Sequence, residues 1–279
     1  MNRPAYLFGA LCCLVAGGVT AWAAPHREAN LWWVDFTVIL LAIPSGFAVW
    51  RALGHRGLAI LAVLGLLAVV LDLIAVATGW PFGPFQTDTT GITLFDHVPW
   101  TIPFAWAPLI LATLTLATRV ARRPIVRIIL SGVLLVAIDM VVDPAAVSLG
   151  MWFWIHPGRY YDIPLSDFLG WVVVGTLSSW LAYVLLVKSA EKPLPVAFMG
   201  SGFLMLSYWT GVCLGKCMAV PVWLGVELLL YLSLIFFTSP RARVMGRRLD
   251  TVGGEDAAAV TPMEENLRGK ETDAETAAV

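Results

Sequence analysis

The sequence predicts an all-α, polytopic bundle of transmembrane helices. Hydrophobic residues make up 59% of the chain and charged residues only 13%, whereas a soluble domain carries roughly 25% charged residues to cover its surface. The hydrophobic residues also cluster in runs long enough to cross about 30 Å of hydrocarbon. The formal net charge is −1, so the chain lacks the excess of basic residues that would indicate a nucleic-acid partner.

Eight apolar runs separated by polar breaks are candidate membrane spans. We predict them at 6–23, 31–50, 58–78, 100–118, 125–142, 168–187, 196–219 and 222–238. Little more than Pro221 separates the last two, so they form either a tightly turned pair or one broken helix. The first run follows Arg3 and ends in Ala21-Trp22-Ala23, which also fits a signal peptide; its cleavage would leave seven spans.

Lysine and arginine residues orient the predicted bundle. The connections after the second, fourth, sixth and eighth spans hold Arg51, Arg56, Arg119, Arg122, Arg123, Arg127, Lys188, Lys192, Arg241, Arg243, Arg247 and Arg248. The alternate connections hold only Arg27 and Arg159. Because cytoplasmic loops are enriched in basic residues, this bias predicts a multi-pass cell-membrane protein with both termini in the cytoplasm.

The composition changes after Pro240. Residues 253–279 are rich in Ala, Glu, Asp and Thr and contain no aromatic residue, so they cannot bury enough apolar surface to order themselves. We therefore predict an integral membrane domain over 1–240, then a basic juxtamembrane stretch and a disordered cytoplasmic tail over 241–279.

Ionisable residues inside membrane spans are rare and mark functional sites. Asp139 and Asp143 are four residues apart, so they share one face of the fifth span near its non-cytoplasmic end. Two carboxyl groups this close in a low dielectric do not both ionise cheaply, and we expect one to hold a proton, as a general acid requires. The alternative is structural: Asp143, before Pro144, ends the helix, and Asp139 bonds a neighbour. Asp167 opens the sixth span, where an N-terminal role suffices.

Two long connections on the predicted non-cytoplasmic face are dense in glycine, proline and aromatic residues. They cover 79–100 and 143–171. Solvated linkers are not composed in this way, so we predict that both segments fold back onto the mouth of the bundle, where protein satisfies their backbone groups. Tryptophan and tyrosine at this depth are also ordinary residues of the interfacial belt.

A neutral carboxyl group beside aromatic rings suits acid catalysis on an apolar polyene. Protonation of a trisubstituted terminal alkene leaves a tertiary carbocation, which water captures. The faces of Trp152, Trp154, Tyr160 and Tyr161 could stabilise that cation without attacking it. This chemistry requires no metal ion and no cofactor, and we predict none.

Two metal-dependent reactions fit the sequence less well. Iron-dependent membrane oxygenases need clustered histidines, and the four histidines of this chain are scattered. The Asp139-x-x-x-Asp143 pattern is similar to one aspartate motif of intramembrane prenyltransferases, which bind a diphosphate through Mg²⁺. Those enzymes need a second aspartate-rich motif, and Asp72 alone does not make one.

Five ordered motifs resemble the membrane carotenoid-biosynthesis family, which includes the carotenoid hydratases of bacteria and haloarchaea. They are Thr78-Gly-Trp-Pro-Phe-Gly, Val98-Pro-Trp-Thr-Ile-Pro-Phe-Ala-Trp106, Asp139-Met-Val-Val-Asp-Pro144, Gly150-x-Trp-x-Trp154 and Tyr160-Tyr-x-Ile-Pro-x-x-x-Phe-x-Gly-Trp171. The hydratases act on γ-carotene-like or bisanhydrobacterioruberin-like ends. The resemblance implies a carotenoid or isoprenoid lipid substrate, with Asp139 and Asp143 in the site and the following Trp and Tyr residues lining it.

Two positions depart from the family pattern. Asp162 stands where we expect glycine, and Asp167 stands where we expect asparagine. The additional carboxyl groups would change the proton balance of the site or mark a subgroup with another reaction. The resemblance therefore supports carotenoid modification more firmly than hydration itself.

These observations define a predicted site and function. Asp139 and Asp143 are the predicted catalytic residues. The predicted substrate-binding residues are Asp72, Phe82, Trp106, Trp152, Trp154, Tyr160, Tyr161, Asp167 and Trp171. The predicted reaction is hydration of the terminal double bond of an acyclic carotenoid end; the partners are membrane lipid and other carotenoid-synthesis enzymes.

Two other functions stay open at this stage. An end-group cyclase or isomerase begins with the same protonation. A non-catalytic membrane transporter or scaffold is the third class. A transport pathway would need polar residues spread along several spans, whereas those of this chain concentrate at one face.

Overall fold

The computed structural model describes residues 3–24, 32–87, 92–187 and 193–238, and most of these residues are helical. The helices are α1 (Arg3–Ala23), α2 (Trp32–Thr78), α3 (Ile102–Val120), α4 (Pro124–Leu149), α5 (Leu165–Leu186), α6 (Gly200–Gly215), which a 3₁₀ turn (Val196–Met199) precedes, and α7 (Ala219–Thr238). In this described part, seven helices are long and apolar enough to cross a membrane. The predicted all-α membrane bundle is confirmed.

Helix α2 provides two membrane crossings. Its 47 residues would extend roughly 70 Å as one straight helix, about twice the thickness of the hydrocarbon layer. The backbone leaves the helical conformation at Gly54, where φ is 59° and ψ is −142°, a combination that glycine adopts without steric cost. Arg51 and Arg56 lie beside this break, between the two spans predicted at 31–50 and 58–78.

The last two spans are separate helices joined by a tight turn. Helix α6 ends at Gly215, and α7 begins at Ala219. Pro221 lies in the first turn of α7, where its missing N–H costs no hydrogen bond. The predicted end of the seventh span at 219 is therefore too late by one helical turn. Lys216 therefore lies in the α6–α7 connection. It adds a basic residue to the alternate connections, in which the predicted spans leave only Arg27 and Arg159.

Helices α1 and α6 pack in parallel with their backbones in contact. A Cβ atom on Gly17 would lie 2.8 Å from the Val212 nitrogen, and one on Gly211 would lie 2.8 Å from the Leu14 carbonyl carbon. Small residues at such positions let two membrane helices approach closely. The Lys216 ammonium group also donates to the carbonyl of Ala24, at 2.7 Å. The first predicted span is therefore a packed member of the bundle.

Two loops meet at one end of the bundle, which we call the loop face: the end where α2 and α4 finish and α3 and α5 begin. Strand β1 (Phe85–Thr87) of the first loop pairs antiparallel with β4 (Trp152–Trp154) of the second. A second pair, β2 (Thr93–Leu94) with β3 (Val98–Pro99), lies within the first loop. We call the β1–β4 pair the ribbon.

Several predictions fall outside the described residues. They include Arg27, Lys188, Lys192 and the tail at 241–279. The predicted orientation of the termini across the membrane stays a prediction.

Candidate active site

A cavity lies beneath the ribbon at the loop face. Helices α2, α3, α4 and α5 form its walls, and the ribbon covers it. Nine of the eleven residues predicted for the site line this cavity. They are Asp72, Phe82, Trp106, Asp139, Asp143, Trp152, Trp154, Asp167 and Trp171.

Three carboxyl groups converge in the cavity wall. Asp139, Asp143 and Asp167 are only 4%, 3% and 2% exposed, and one oxygen of each lies within 4.8 Å of an oxygen of the other two. The spacing of four residues places the first two on one face of α4. Asp167 joins them from the first turn of α5, at the position where the sequence departs from the family pattern. We call these three residues the carboxyl triad.

The three carboxyl groups of the triad lie close enough to one another to interact directly. A carboxylate only accepts hydrogen bonds, so two of these groups could share one only if one of them carried a proton. One oxygen each of Asp139, Asp143 and Asp167 has no hydrogen-bond partner within the described ranges, so the group retains free acceptor capacity.

Asp143 has a further partner outside the triad. The indole of Trp152, on β4 of the ribbon, lies close enough to its carboxyl group to interact with it. An N–H donor beside a carboxyl group favours the ionised form of that group. Asp143 thus has the Trp152 indole beside it, whereas Asp139 lies beside the other two carboxyl groups.

A fourth carboxyl group lies in the same cavity. Asp72 comes from the second half of α2 and is 7% exposed. The part of the cavity wall that the structure describes contains no lysine, arginine or histidine, so no basic side chain balances the four acidic ones there. The three triad oxygens are close enough to ligate a divalent cation, and carboxylate oxygens suit such ions. Protons or a cation would balance their charge equally well.

A row of aromatic rings forms another part of the cavity lining. The ring centroids of Trp106 and Trp171 are 4.8 Å apart, and those of Trp171 and Phe82 are 5.5 Å apart. The row continues with Phe82 and Phe85, at 6.5 Å, and with Phe85 and Trp154, at 6.3 Å. The rings come from α3, α5, the first loop and both ribbon strands. Their negative faces attract a positive charge, so the cavity combines carboxyl groups with surfaces that can stabilise a cation.

The ribbon places its side chains by strand alternation. Phe85 pairs with Trp154, and Thr87 pairs with Trp152; all four line the cavity. Phe153, between the two tryptophans, points away and is 45% exposed, as expected because alternate side chains of a strand face opposite sides.

The carbonyl of Phe82 fastens the first loop to the second. It accepts hydrogen bonds from the indole of Trp154, at 3.2 Å, and from the hydroxyl of Ser166, at 3.1 Å. A Cβ atom on Gly170 would lie 2.6 Å from the Phe82 ring, so α5 needs a glycine where the loop rests on it. These contacts fix the cover of the cavity.

Comparison with known proteins identifies the family. Residues 33–232 match the family model described as "Carotenoid biosynthesis protein". The chain belongs to this family. The match extends from the start of α2 into α7 and includes every residue of the cavity, and it confirms the resemblance predicted from the motifs.

One relative has a named activity. The chain is 28% identical over 155 residues to the bisanhydrobacterioruberin hydratase of Haloarcula japonica, an alignment that covers 53% of this chain and 52% of that protein. The chain thus spans about half the length of the curated relative it matches. No solved structure matches the chain.

Tyr160 and Tyr161, the other two residues predicted for the site, are not part of the cavity wall of this carotenoid biosynthesis protein. Their rings pack against each other with centroids 5.0 Å apart, and Tyr160 also contacts Phe168 at 5.6 Å. The Tyr160 hydroxyl donates to the carbonyl of Met140, at 2.8 Å. The Tyr160 hydroxyl is thus bonded to the backbone of α4, and neither tyrosine contributes to the cavity lining.

The backbone explains one of the two departures from the family pattern. Tyr161 and Asp162 have positive φ angles of 48° and 67°, and the amide of Ile163 donates to the carbonyl of Tyr160. Two consecutive positive φ angles in such a turn favour glycine, and aspartate tolerates them. Asp162 is exposed and lies outside the cavity. Of the two additional carboxyl groups, only that of Asp167 enters the site.

Several cavity residues of this family member were not predicted. Phe85 and Thr87 lie on β1, and their spacing of two residues, matched by that of Trp152 and Trp154, could have indicated paired strands. The others lie at helical spacing on α3 and α4. They are Ile102, Ala105, Leu109, Leu135 and Val142, together with Pro99 before α3.

Proposed function

We propose that the protein is a carotenoid-biosynthesis enzyme that adds water to the terminal double bond of an acyclic carotenoid end group. The observation that carries this proposal is the buried carboxyl triad in a cavity that is also lined by a row of aromatic rings. The family and the named relative support the substrate class. The proposed substrate is a carotenoid or isoprenoid lipid that enters from the membrane.

The reaction begins with a proton on Asp139. This carboxyl group transfers its proton to the less substituted carbon of the terminal alkene, so a C–H bond forms and the alkene π bond breaks. The adjacent carbon becomes a tertiary carbocation. The rings of Trp106, Trp171 and Phe82 stabilise it through their faces, which carry no nucleophile strong enough to attack it.

Water completes the reaction. Its oxygen bonds to the cationic carbon, and the resulting oxonium ion loses a proton to the carboxylate of Asp143, beside the Trp152 indole. The proton then passes to the neighbouring carboxylate of Asp139, which restores the starting state. The balance is one alkene and one water giving one tertiary alcohol, without an oxidant or reductant.

A labelling experiment tests this proposal. Membranes containing the protein are supplied with an acyclic, lycopene-type carotenoid in H₂¹⁸O, and the products are weighed by mass spectrometry. Hydration adds the mass of one labelled water to each reacting end. Cyclisation and isomerisation leave the mass unchanged, so a product of unaltered mass would replace hydration by one of these reactions.

Asp139→Asn separates catalysis from the non-catalytic functions. The amide retains the shape of the carboxyl group and cannot deliver its proton, so the product should be lost while the protein still accumulates in the membrane. Asp96→Asn, on the exposed turn of the first loop, is the matched control and should keep full conversion. Full conversion by Asp139→Asn as well would indicate a scaffold or transporter.

A further inference from the structure

Proline within α4 leaves one backbone carbonyl without its helical partner. Pro144 follows Asp143 inside the helix, and proline has no N–H to donate to the carbonyl four residues earlier. That carbonyl belongs to Met140, which lies between the two aspartates. A backbone carbonyl inside a membrane protein needs a donor.

Tyr160 supplies this donor from the second loop. Its hydroxyl lies 2.8 Å from the carbonyl oxygen of Met140. Burial raises the pKa of Tyr160, and the neighbouring Tyr161, Cys213 and Asp139 raise it further. The phenol therefore keeps its proton and remains a donor.

The same turn of α4 is also bonded from α6. The thiol of Cys213 donates to the carbonyl of Val141, at 3.3 Å. Two consecutive carbonyls, Met140 and Val141, thus accept hydrogen bonds from outside the helix. This turn carries Asp139 at its start and leads directly to Asp143.

We infer that Tyr160 is a positioning residue for the carboxyl triad. By bonding the carbonyl that Pro144 leaves open, it fixes the turn of α4 on which Asp139 and Asp143 project toward Asp167. Tyr160 does not line the cavity, so it acts through the α4 backbone and touches neither the substrate nor the reacting atoms. This inference rests on the proposed function, which assigns proton transfer to the triad.

The test combines Tyr160→Phe with Pro144→Ala. Tyr160→Phe keeps the ring and removes the hydroxyl, and turnover should fall about tenfold with little change in KM, because a lost hydrogen bond of about 1–1.5 kcal/mol corresponds to that factor. Pro144→Ala restores an N–H in line with the Met140 carbonyl. The double variant should therefore recover most of the lost turnover. Tyr231→Phe, on the exposed side of α7, removes a hydroxyl elsewhere and should have no effect.

Two results would overturn the inference. One is normal turnover in Tyr160→Phe; the other is a double variant no better than Tyr160→Phe alone. If Tyr160→Phe accumulates poorly, the double variant decides in the same way, because the restored N–H must then recover accumulation and turnover together.

The experiments can refute the role of Tyr160 and the proposed function independently of each other. The proposed function is judged by the mass of the wild-type product in labelled water. The role of Tyr160 is judged by turnover ratios among the variants, for whichever carotenoid conversion the wild type performs.

Discussion

The contact between α1 and α6 allows a test in which adjacent glycines respond with opposite sign. A Cβ atom on Gly17 would lie 2.8 Å from the Val212 nitrogen and 3.0 Å from the Tyr208 carbonyl carbon, and it would collide with the Tyr208 carbonyl oxygen. A Cβ atom on Gly18 would meet only the Gly211 oxygen, at 3.8 Å, which is ordinary van der Waals contact. Gly17→Ala and Gly18→Ala therefore add the same methyl group, the first where the backbone of α6 leaves no room for it and the second where there is room.

The magnitudes follow from these distances. Ordinary contact begins at 3.4 Å, so in Gly17→Ala the helices must separate by at least 0.6 Å (3.4 Å less 2.8 Å). Forcing an extra carbon into a packed contact costs about 1–3 kcal/mol of the free energy of unfolding, and replacing glycine in a helix returns up to about 1 kcal/mol. Because the clashing atoms belong to the backbone of α6 and cannot rotate away, Gly17→Ala falls in the upper half of this cost range, about 2–3 kcal/mol, and after the return it should lose about 1–2 kcal/mol. Gly18→Ala should be neutral or gain up to about 1 kcal/mol.

The assay is thermal unfolding of the purified protein in detergent. For a domain of this size, about 1 kcal/mol shifts the midpoint by roughly 2–4 °C, so Gly17→Ala should unfold about 2–8 °C below the wild type. Gly18→Ala should match or exceed the wild type. Equal shifts in both variants would refute the close packing of α1 on α6 in the folded protein.

Three further predictions concern the loop face. Both Asp162→Gly and Asp162→Val remove the same side-chain carboxyl group, and Asp162→Gly should unfold at the higher midpoint of the two, because glycine adopts the positive φ at this position and a β-branched residue does not; equal midpoints would contradict the turn geometry. Trp152→Phe keeps a ring in the ribbon and removes the donor to Asp143, so conversion should fall about tenfold, while Phe153→Leu on the outer side should convert normally; a reversed order would place the wrong face of β4 in the cavity. Treatment with EDTA should leave carotenoid conversion unchanged, since the proposed reaction uses only protons; a loss that one divalent ion restores would show that the triad binds a metal.

Local patterns in the sequence predicted the membrane bundle and part of its site. Hydropathy depends only on the residues within a span, so the runs of apolar residues located the helices. The i,i+4 spacing alone, without any tertiary contact, predicts that Asp139 and Asp143 share one face of α4. The sequence predicts an end of the seventh span that is too late, because Pro221 is typical of a break between helices, whereas proline is well tolerated in the first turn of α7.

Contacts between distant segments required the structure. The sequence predicts Asp167 as a lining residue, but its position beside the two aspartates of α4 depends on how α5 packs against α4. The pairing of β1 with β4 joins segments more than sixty residues apart, and no short-range periodicity encodes such a register. Tyr160 illustrates the same limit, since its sequence neighbours indicate a cavity residue and its hydroxyl bonds the back of α4.

The sequence by itself determined that the chain crosses the membrane many times, that two carboxyl groups share a helix face, and that aromatic loops accompany them, because each of these properties depends on residue type and short spacing. Only the tertiary structure decided which carboxyl groups meet, which rings form the wall and which tyrosine supports the helix from behind. Those outcomes depend on helix packing and on backbone hydrogen bonds between segments far apart in the chain.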